Sequence, residues 1–270
     1  MVTDAHLHMR KDREEAMLTH LDSLSIDRAL LMALNEKESE DNLLLASRHK
    51  GRLFAAVSPL ETETGDLDLF LSRAREKGAA AVGELVVNKR IDSSYVSRIF
   101  ALAQELRLPV TFHLSPEEGF SYGIVDDIHL PLLEKALRAF PSLVFVGHSQ
   151  CFWIEIADDV PLSAEGRCSW GSGPVRKKGR LFDLMDDYPN LYCDLSANSA
   201  GCAIMRDYEN GIDFLKRYAH RLFFGTDMTN ETEVFPLRSY LEKFHGDGIL
   251  SSCELNAIMN DNFERVFLQR

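Results

Sequence analysis

The sequence predicts an α/β chain folded as a (β/α)8 barrel, and three observations carry that prediction. Eight short β-rich runs alternate with longer amphipathic stretches from one end of the chain to the other. Several of those runs are almost continuously apolar, as expected for parallel strands covered on both faces. The length of 270 residues suits one closed barrel, which typically takes about 250. No low-complexity linker or composition shift divides the chain, so residues 1–270 read as a single barrel domain. An open doubly wound sheet is the alternative, but no Gly-x-Gly-x-x-Gly follows the first run.

The predicted strands cover residues 2–8, 28–33, 53–58, 81–87, 109–114, 143–147, 191–195 and 221–225. Helical spacing fills the intervals. In residues 95–106, for example, Val96, Ile99, Phe100, Ala103 and Leu106 fall on one face. One connection is long, the 27 residues 149–175 after the sixth strand, and loops of that length in a compact fold commonly serve a site. Residues 252–267 read as a closing helix.

Hydrophobic residues make up 45% of the chain and charged residues 27%, so it can bury a core. Thirty Lys and Arg against forty-two Asp and Glu leave a net charge of −12, which argues against nucleic acid or an anionic membrane as a partner. A small-molecule substrate, an anionic one included, is the expected partner, and a homo-oligomer is compatible with the sequence. Five cysteines without a Cys-x-x-Cys pair suggest neither a disulfide framework nor a cysteine zinc site. With no long apolar run and no basic-then-apolar leader, a cytoplasmic location is expected.

The chemistry lies in where histidines and acids fall. Asp4-Ala5-His6-Leu7-His8 closes the first strand, and a side-chain period of two turns Asp4, His6 and His8 to one face, the barrel interior. Two imidazoles at that spacing can ligate one metal ion, with Asp4 behind them to orient a ligand ring. His113 ends the fifth strand, His148 follows the sixth and Asp227 the eighth. In a barrel these positions converge on the rim where active sites of this fold lie. A lone histidine is more often an ordinary core residue, and Asp227 alone could cap a helix. Five such residues at four strand ends are another matter, because burying them together without a metal or a polar network costs several kcal/mol. Asp194, near the end of the seventh strand, is expected to hydrogen-bond within the rim.

The set Asp-Ala-His-Leu-His, the strand-five His113, Gly147-His148-Ser149 and Gly225-Thr226-Asp227 resembles the amidohydrolase superfamily. It is most similar to the subgroup of aminocarboxymuconate semialdehyde decarboxylase, and the C-terminal Asn262-Phe263-Glu264-Arg265-Val266-Phe267 resembles that subgroup's ending. The resemblance implies a TIM barrel in which His6, His8, His113 and Asp227 hold a divalent metal. His148 and Asp227 would then handle protons. Zinc is the expected ion, since imidazole and carboxylate suit it and it lowers the pKa of bound water to ~7.

One departure concerns the fourth strand, where many superfamily members carry a carbamylated lysine. Gly83-Glu84 stands here instead, similar to the TatD-type deoxyribonucleases. Glu84 therefore reads either as a ligand to a second metal or as a mouth carboxylate that binds substrate or a neighbouring Lys, so one ion is expected and two are allowed. Arg10 and Arg180 are candidates to fork a substrate carboxylate, while Trp153 and Trp170 either wall a planar substrate or pack the long loop onto the barrel. The resulting reading is a hydrolase that uses metal-activated water on a small amide, ester or lactone. The alternative is a non-oxidative metal-dependent decarboxylase of an aromatic or unsaturated carboxylic acid. A catalytically dead metal-binding scaffold is a third class, which the intact rim residues disfavour.

Overall fold

A computed structural model, describing residues 1–60 and 65–268, folds as the (β/α)8 barrel that the alternation predicts. The ring runs through β1 (Thr3–Leu7), β2 (Arg28–Leu31), β3 (Leu53–Val57), β4 (Ala81–Leu85) and β5 (Val110–Ser115). A two-residue strand, β6 (Ile124–Val125), then pairs off the ring with the end of β5. The ring continues through β7 (Phe145–His148), β8 (Leu191–Asp194) and β9 (Leu222–Phe223). Neighbouring ring strands pair in parallel, and each predicted strand has its counterpart.

Two irregularities shape the rim. The register shifts between Asp4 and Leu7 on β1, and again between Val82 and Leu85 on β4. Such bulges re-aim side chains, and these fall at His6 and Glu84.

Closure of the ring is made by backbone bonds from β1 to the stretch after β9. Ala5 N donates to Phe224 O at 2.9 Å, Asp227 N to His6 O at 2.7 Å, and His8 N to Met228 O at 2.9 Å. Asp4 fastens the same junction: its Oδ1 accepts from His6 N and Thr226 N, both at 3.0 Å, and its Oδ2 accepts from Thr226 Oγ1 at 2.6 Å. Burial pushes its carboxyl up to about 7 despite those bonds. Asp4 therefore corrects the expectation that it orients an imidazole; it touches the backbone of His6, not its ring. Asp4→Ala would orphan three buried donors, for a loss on the order of 2–5 kcal/mol. Thermal unfolding should fall by roughly 5–15 °C, and an unchanged midpoint would show that the junction holds without it.

The opposite end of the barrel is sealed by the C-terminal stretch. It begins with a capping box, Ser251 with Glu254, and continues from Ser252–Asn256 into wide π-type turns at Ala257–Asp261 and Glu264–Leu268. Thr3 Oγ1 donates to Asn260 Oδ1 at 2.8 Å, and Asn262 Nδ2 donates to the carbonyls of Ala219 and Leu222. Phe263 and Phe267 pack with Leu30, Ala56, Ala81 and Phe223 at this end. The strand C-termini are left to form the working rim.

Around the ring, Ser94–Leu106 has Ser93 as its N-cap and buries Val96, Ile99, Phe100 and Ala103. Residues 149–175 are more ordered than a bare loop. They hold one-turn helices at Gln150–Trp153 and Ala164–Arg167 and a 3₁₀ turn at Ile154–Ile156. Among the described residues no helix is long and apolar enough to cross a membrane.

Candidate metal centre

Histidines from β1, β5 and β7 meet carboxylates from β4 and β8 and from the turn after β9 at the rim. The buried carboxylate of Asp194, the last residue of β8, organises one side. Its Oδ2 lies 2.6 Å from His6 Nδ1 and 3.1 Å from His148 Nδ1. Ser196 holds it in turn, with N to Oδ1 at 2.9 Å and Oγ to Oδ2 at 2.8 Å, and Ser196 Oγ also lies 3.0 Å from His148 Nδ1. A proton on each Nδ1 is thus matched to an acceptor, which turns the Nε2 lone pairs of His6 and His148 toward the centre. The sequence has Gly before His148 for a packing reason, since a Cβ at Gly147 would meet the Phe152 ring at 2.2 Å.

Four donor atoms then face one another. His6 Nε2 is 3.2 Å from His8 Nε2 and 3.5 Å from Asp227 Oδ1, while His8 Nε2 is 3.3 Å from Asp227 Oδ1. Glu84 Oε2 stands 3.5 Å from His8 Nε2 and 3.8 Å from His6 Nε2. Donors bonded at ~2.0–2.2 Å to a common ion sit about 3–4 Å apart, so this donor set fits a divalent cation. Two overlapping groups bring their ligand atoms within 4.8 Å of one another: His6, His8 and Asp227, and His6, Glu84 and His148. Asp227 adopts a left-handed backbone, φ +60, a conformation that an aspartate tolerates better than most residues and that clusters at functional sites.

The charges are mutually dependent. Burial alone would raise the carboxyl of Asp194, but the charge of His6 and the hydrogen bond from His148 hold it well below the carboxylate range. Burial likewise opposes ionisation of Glu84, and the His113 ring beside it outweighs that cost. Asp227 is lowered against burial by His6, His8 and His148. Burial disfavours charge on His8 and His148, yet the surrounding carboxylates lift them to about 10 and about 9.

His113 stands differently from the expected ligand position. Its Nδ1 is 2.6 Å from Glu84 Oε1, so it meets the cluster through that carboxylate, and it lies in neither donor group. Burial lowers its pKa in spite of Glu84. Glu84 faces both His6 and His8.

The cluster opens into a cleft of about 1040 Å³. His8, Glu84 and Asp227 lie at its base, and Met32, Leu34 and Tyr122 line its sides. The Asp227 side chain is 24% exposed. Tyr122 tilts over the His113 ring, with centroids 4.2 Å apart.

The substrate-side candidates separate. Arg10 borders the cleft, but its side chain is 73% exposed and its fork is already taken by Asp12, at 3.0 and 2.7 Å. Arg180 is absent from the cleft wall; it opens the helix Arg180–Asp187 and pairs with Glu134 at 2.7 Å on the helical layer. Trp153 is a core residue, 1% exposed, packed edge-on against Phe152 and Phe214. Its Nε1 donates to Asp194 O at 3.0 Å, so it supports the centre from beneath instead of walling the cleft. Trp170 is 54% exposed and outside the cleft lining. Ser196 and Tyr122 are the residues that sequence reasoning missed. Ser196 lies two positions after Asp194 and so shares its face, a usable signal, whereas nothing in the pattern around Tyr122 marks it.

The amidohydrolase family model matches residues 4–268. No curated protein matches the chain. Among solved structures, a probable 2-pyrone-4,6-dicarboxylic acid hydrolase from Acinetobacter baumannii is similar in fold, with 11% identity, 98% of each chain covered and a TM-score of 0.61. A 5-carboxyvanillate decarboxylase from Sphingomonas paucimobilis has 11% identity, 98% of each chain covered and a TM-score of 0.58. A 4-oxalomesaconate hydratase from Rhodopseudomonas palustris has 13% identity over 99% of this chain and 95% of its own, with a TM-score of 0.57. With the family model matched from Asp4 to the last turn of the closing helix, the chain belongs to the amidohydrolase family of enzymes.

Proposed function

We propose that residues 1–270 act as one metal-dependent hydrolase domain, cleaving a small amide, ester or lactone in the cytoplasm. His6, His8 and Asp227 would hold one divalent ion, zinc by donor chemistry, with Glu84 completing its surroundings and His113 anchoring Glu84. When bound, such an ion supplies Lewis acidity, polarising a carbonyl and making water nucleophilic near neutral pH. The observation that carries the reading is the position of Asp227. It touches His8, its Oδ2 lies 3.6 Å from His148 Nε2, and it is exposed to the cleft. A proton leaving the nucleophile can pass to Asp227 or His148 and return from the same pair to the leaving group.

The second reading is decarboxylation of an aromatic or unsaturated acid, kept open because a decarboxylase shares the fold. That reaction needs a substrate carboxylate held firmly beside the metal. The two arginines proposed for the task are engaged with Asp12 and with Glu134, which favours hydrolysis. Esters, lactones, amides and hydroxybenzoate-like or muconate-like acids should be assayed for both acid release and CO₂. Acid release without CO₂ is expected. Metal-dependent CO₂ evolution, lost in His148→Asn, would replace the hydrolase by the decarboxylase.

Glu84 decides the metal count. Glu84→Gln keeps an acceptor for His113 and removes the charge, and elemental analysis should still find about one ion per chain. Two ions in the native protein and one in the variant would assign Glu84 and His148 to a second site.

A further inference from the structure

Away from the metal centre, a second pair of reactive side chains is held in contact. Cys151 lies on the one-turn helix Gln150–Trp153 that follows His148, and Cys168 lies just past Ala164–Arg167. Their sulfurs are 3.2 Å apart. Cys151 is buried, while Cys168 is partly exposed and its Sγ lies 3.9 Å from Ser121 Oγ, beside the cleft residue Tyr122. A covalent bond of about 2.05 Å requires the sulfurs to close by only about 1.2 Å. The other three thiols differ: Cys193 is buried with its Sγ on Met185 Sδ, Cys202 is half-buried, and Cys253 is exposed.

We propose that Cys151 and Cys168 form an oxidisable dithiol, a modification site that peroxides convert to an intramolecular disulfide. The asymmetry of the pair sets the order of events. The contact between the sulfurs, together with burial, holds Cys151 as a thiol. The same contact, with the Arg167 charge nearby and against partial burial, draws Cys168 toward the thiolate. Thiolate character and access make a cysteine the attacking partner. Cys168 sulfur attacks one peroxide oxygen, the O–O bond breaks, and sulfenic acid forms as the other oxygen leaves as water or alcohol. Cys151 sulfur then attacks the sulfenic sulfur; the S–S bond forms, the S–O bond breaks, and the hydroxide leaves as water with the Cys151 proton. Two electrons pass from the sulfur pair to the peroxide. The crosslink would join the helix after His148 to the segment that touches the Tyr122 loop.

The test treats the purified full-length chain with one equivalent of hydrogen peroxide, blocks remaining thiols in denaturant and maps peptides without reductant. Three alkylated cysteines of the five in the sequence are expected, with a Cys151–Cys168 linked peptide that dithiothreitol releases. Cys253→Ser should leave that peptide in place, and Cys168→Ser should abolish it. Five alkylated cysteines, a sulfinic Cys168 beside an alkylated Cys151, or a disulfide between two chains would each overturn the proposal. The native-chain map decides the matter even if a cysteine variant folds poorly.

Discussion

Replacing His6 and His8 together by alanine should strip the protein of its metal and abolish turnover. Both imidazoles point Nε2 at the same space, 3.2 Å apart, and both sit within 3.5 Å of Asp227 Oδ1. Deleting them removes both nitrogen donors of the His6, His8 and Asp227 group and breaks the His6, Glu84 and His148 group, leaving at most one imidazole beside two carboxylates. The ring closure uses the backbone of His6 and His8, not their rings, so the barrel should survive. Asp194 would lose one ring partner and keep Ser196 and His148. Bound metal measured after gel filtration should fall at least tenfold from about one per chain. Unchanged metal in a folded double variant would remove these histidines from the ligand set.

His148→Asn should leave the metal in place and lower turnover on the order of 10²-fold or more, the usual worth of acid–base assistance. The separation rests on geometry. His148 Nδ1 is committed to Asp194 and Ser196, and its Nε2 lies 3.6 Å from Asp227 Oδ2 and 3.8 Å from Glu84 Oε1. An asparagine amide can keep a bond to the Asp194 side but has no ring nitrogen to exchange a proton. Steady-state kinetics beside metal analysis distinguishes the two roles. If the variant loses metal, the group of His6, Glu84 and His148 is the true cage and Asp227 alone handles protons.

The barrel was legible because its strands are short apolar runs whose spacing survives any choice of loop. The rim cluster was legible for a related reason: strand-end positions in a barrel share one rim, so His6, His8, His113, His148 and Asp227 could be grouped from linear position alone. What failed depends on contacts between distant segments or on local folding back. Arg180 meets Glu134, and Arg10 turns onto Asp12, and neither pairing has a sequence signature. Trp153 could not be decided between walling a substrate and packing the loop, because Gln150–Trp153 is a single turn, too short to display a helical period; that turn drives the indole into the core. Asp194 hydrogen-bonds within the rim as expected and also takes the imidazole-orienting task expected of Asp4. Both are buried strand acids, and only the three-dimensional seam decides which one meets an imidazole and which one meets the Thr226 backbone.

The seam has a temporal meaning as well as a spatial one. Asp4 and Thr226 are 222 positions apart, and the proposed cage draws His6 and His8 from the beginning of the chain and Asp227 from near its end. A ribosome must therefore have made everything from His6 through Asp227 before the cage can exist, and contacts of such long separation form slowly. An ion that recognises only the closed ring acts as a clasp, stabilising the completed barrel by mass action and leaving unfinished chains untouched. Metal supply would then govern how many newly made molecules stay closed, in addition to how fast the closed ones turn over.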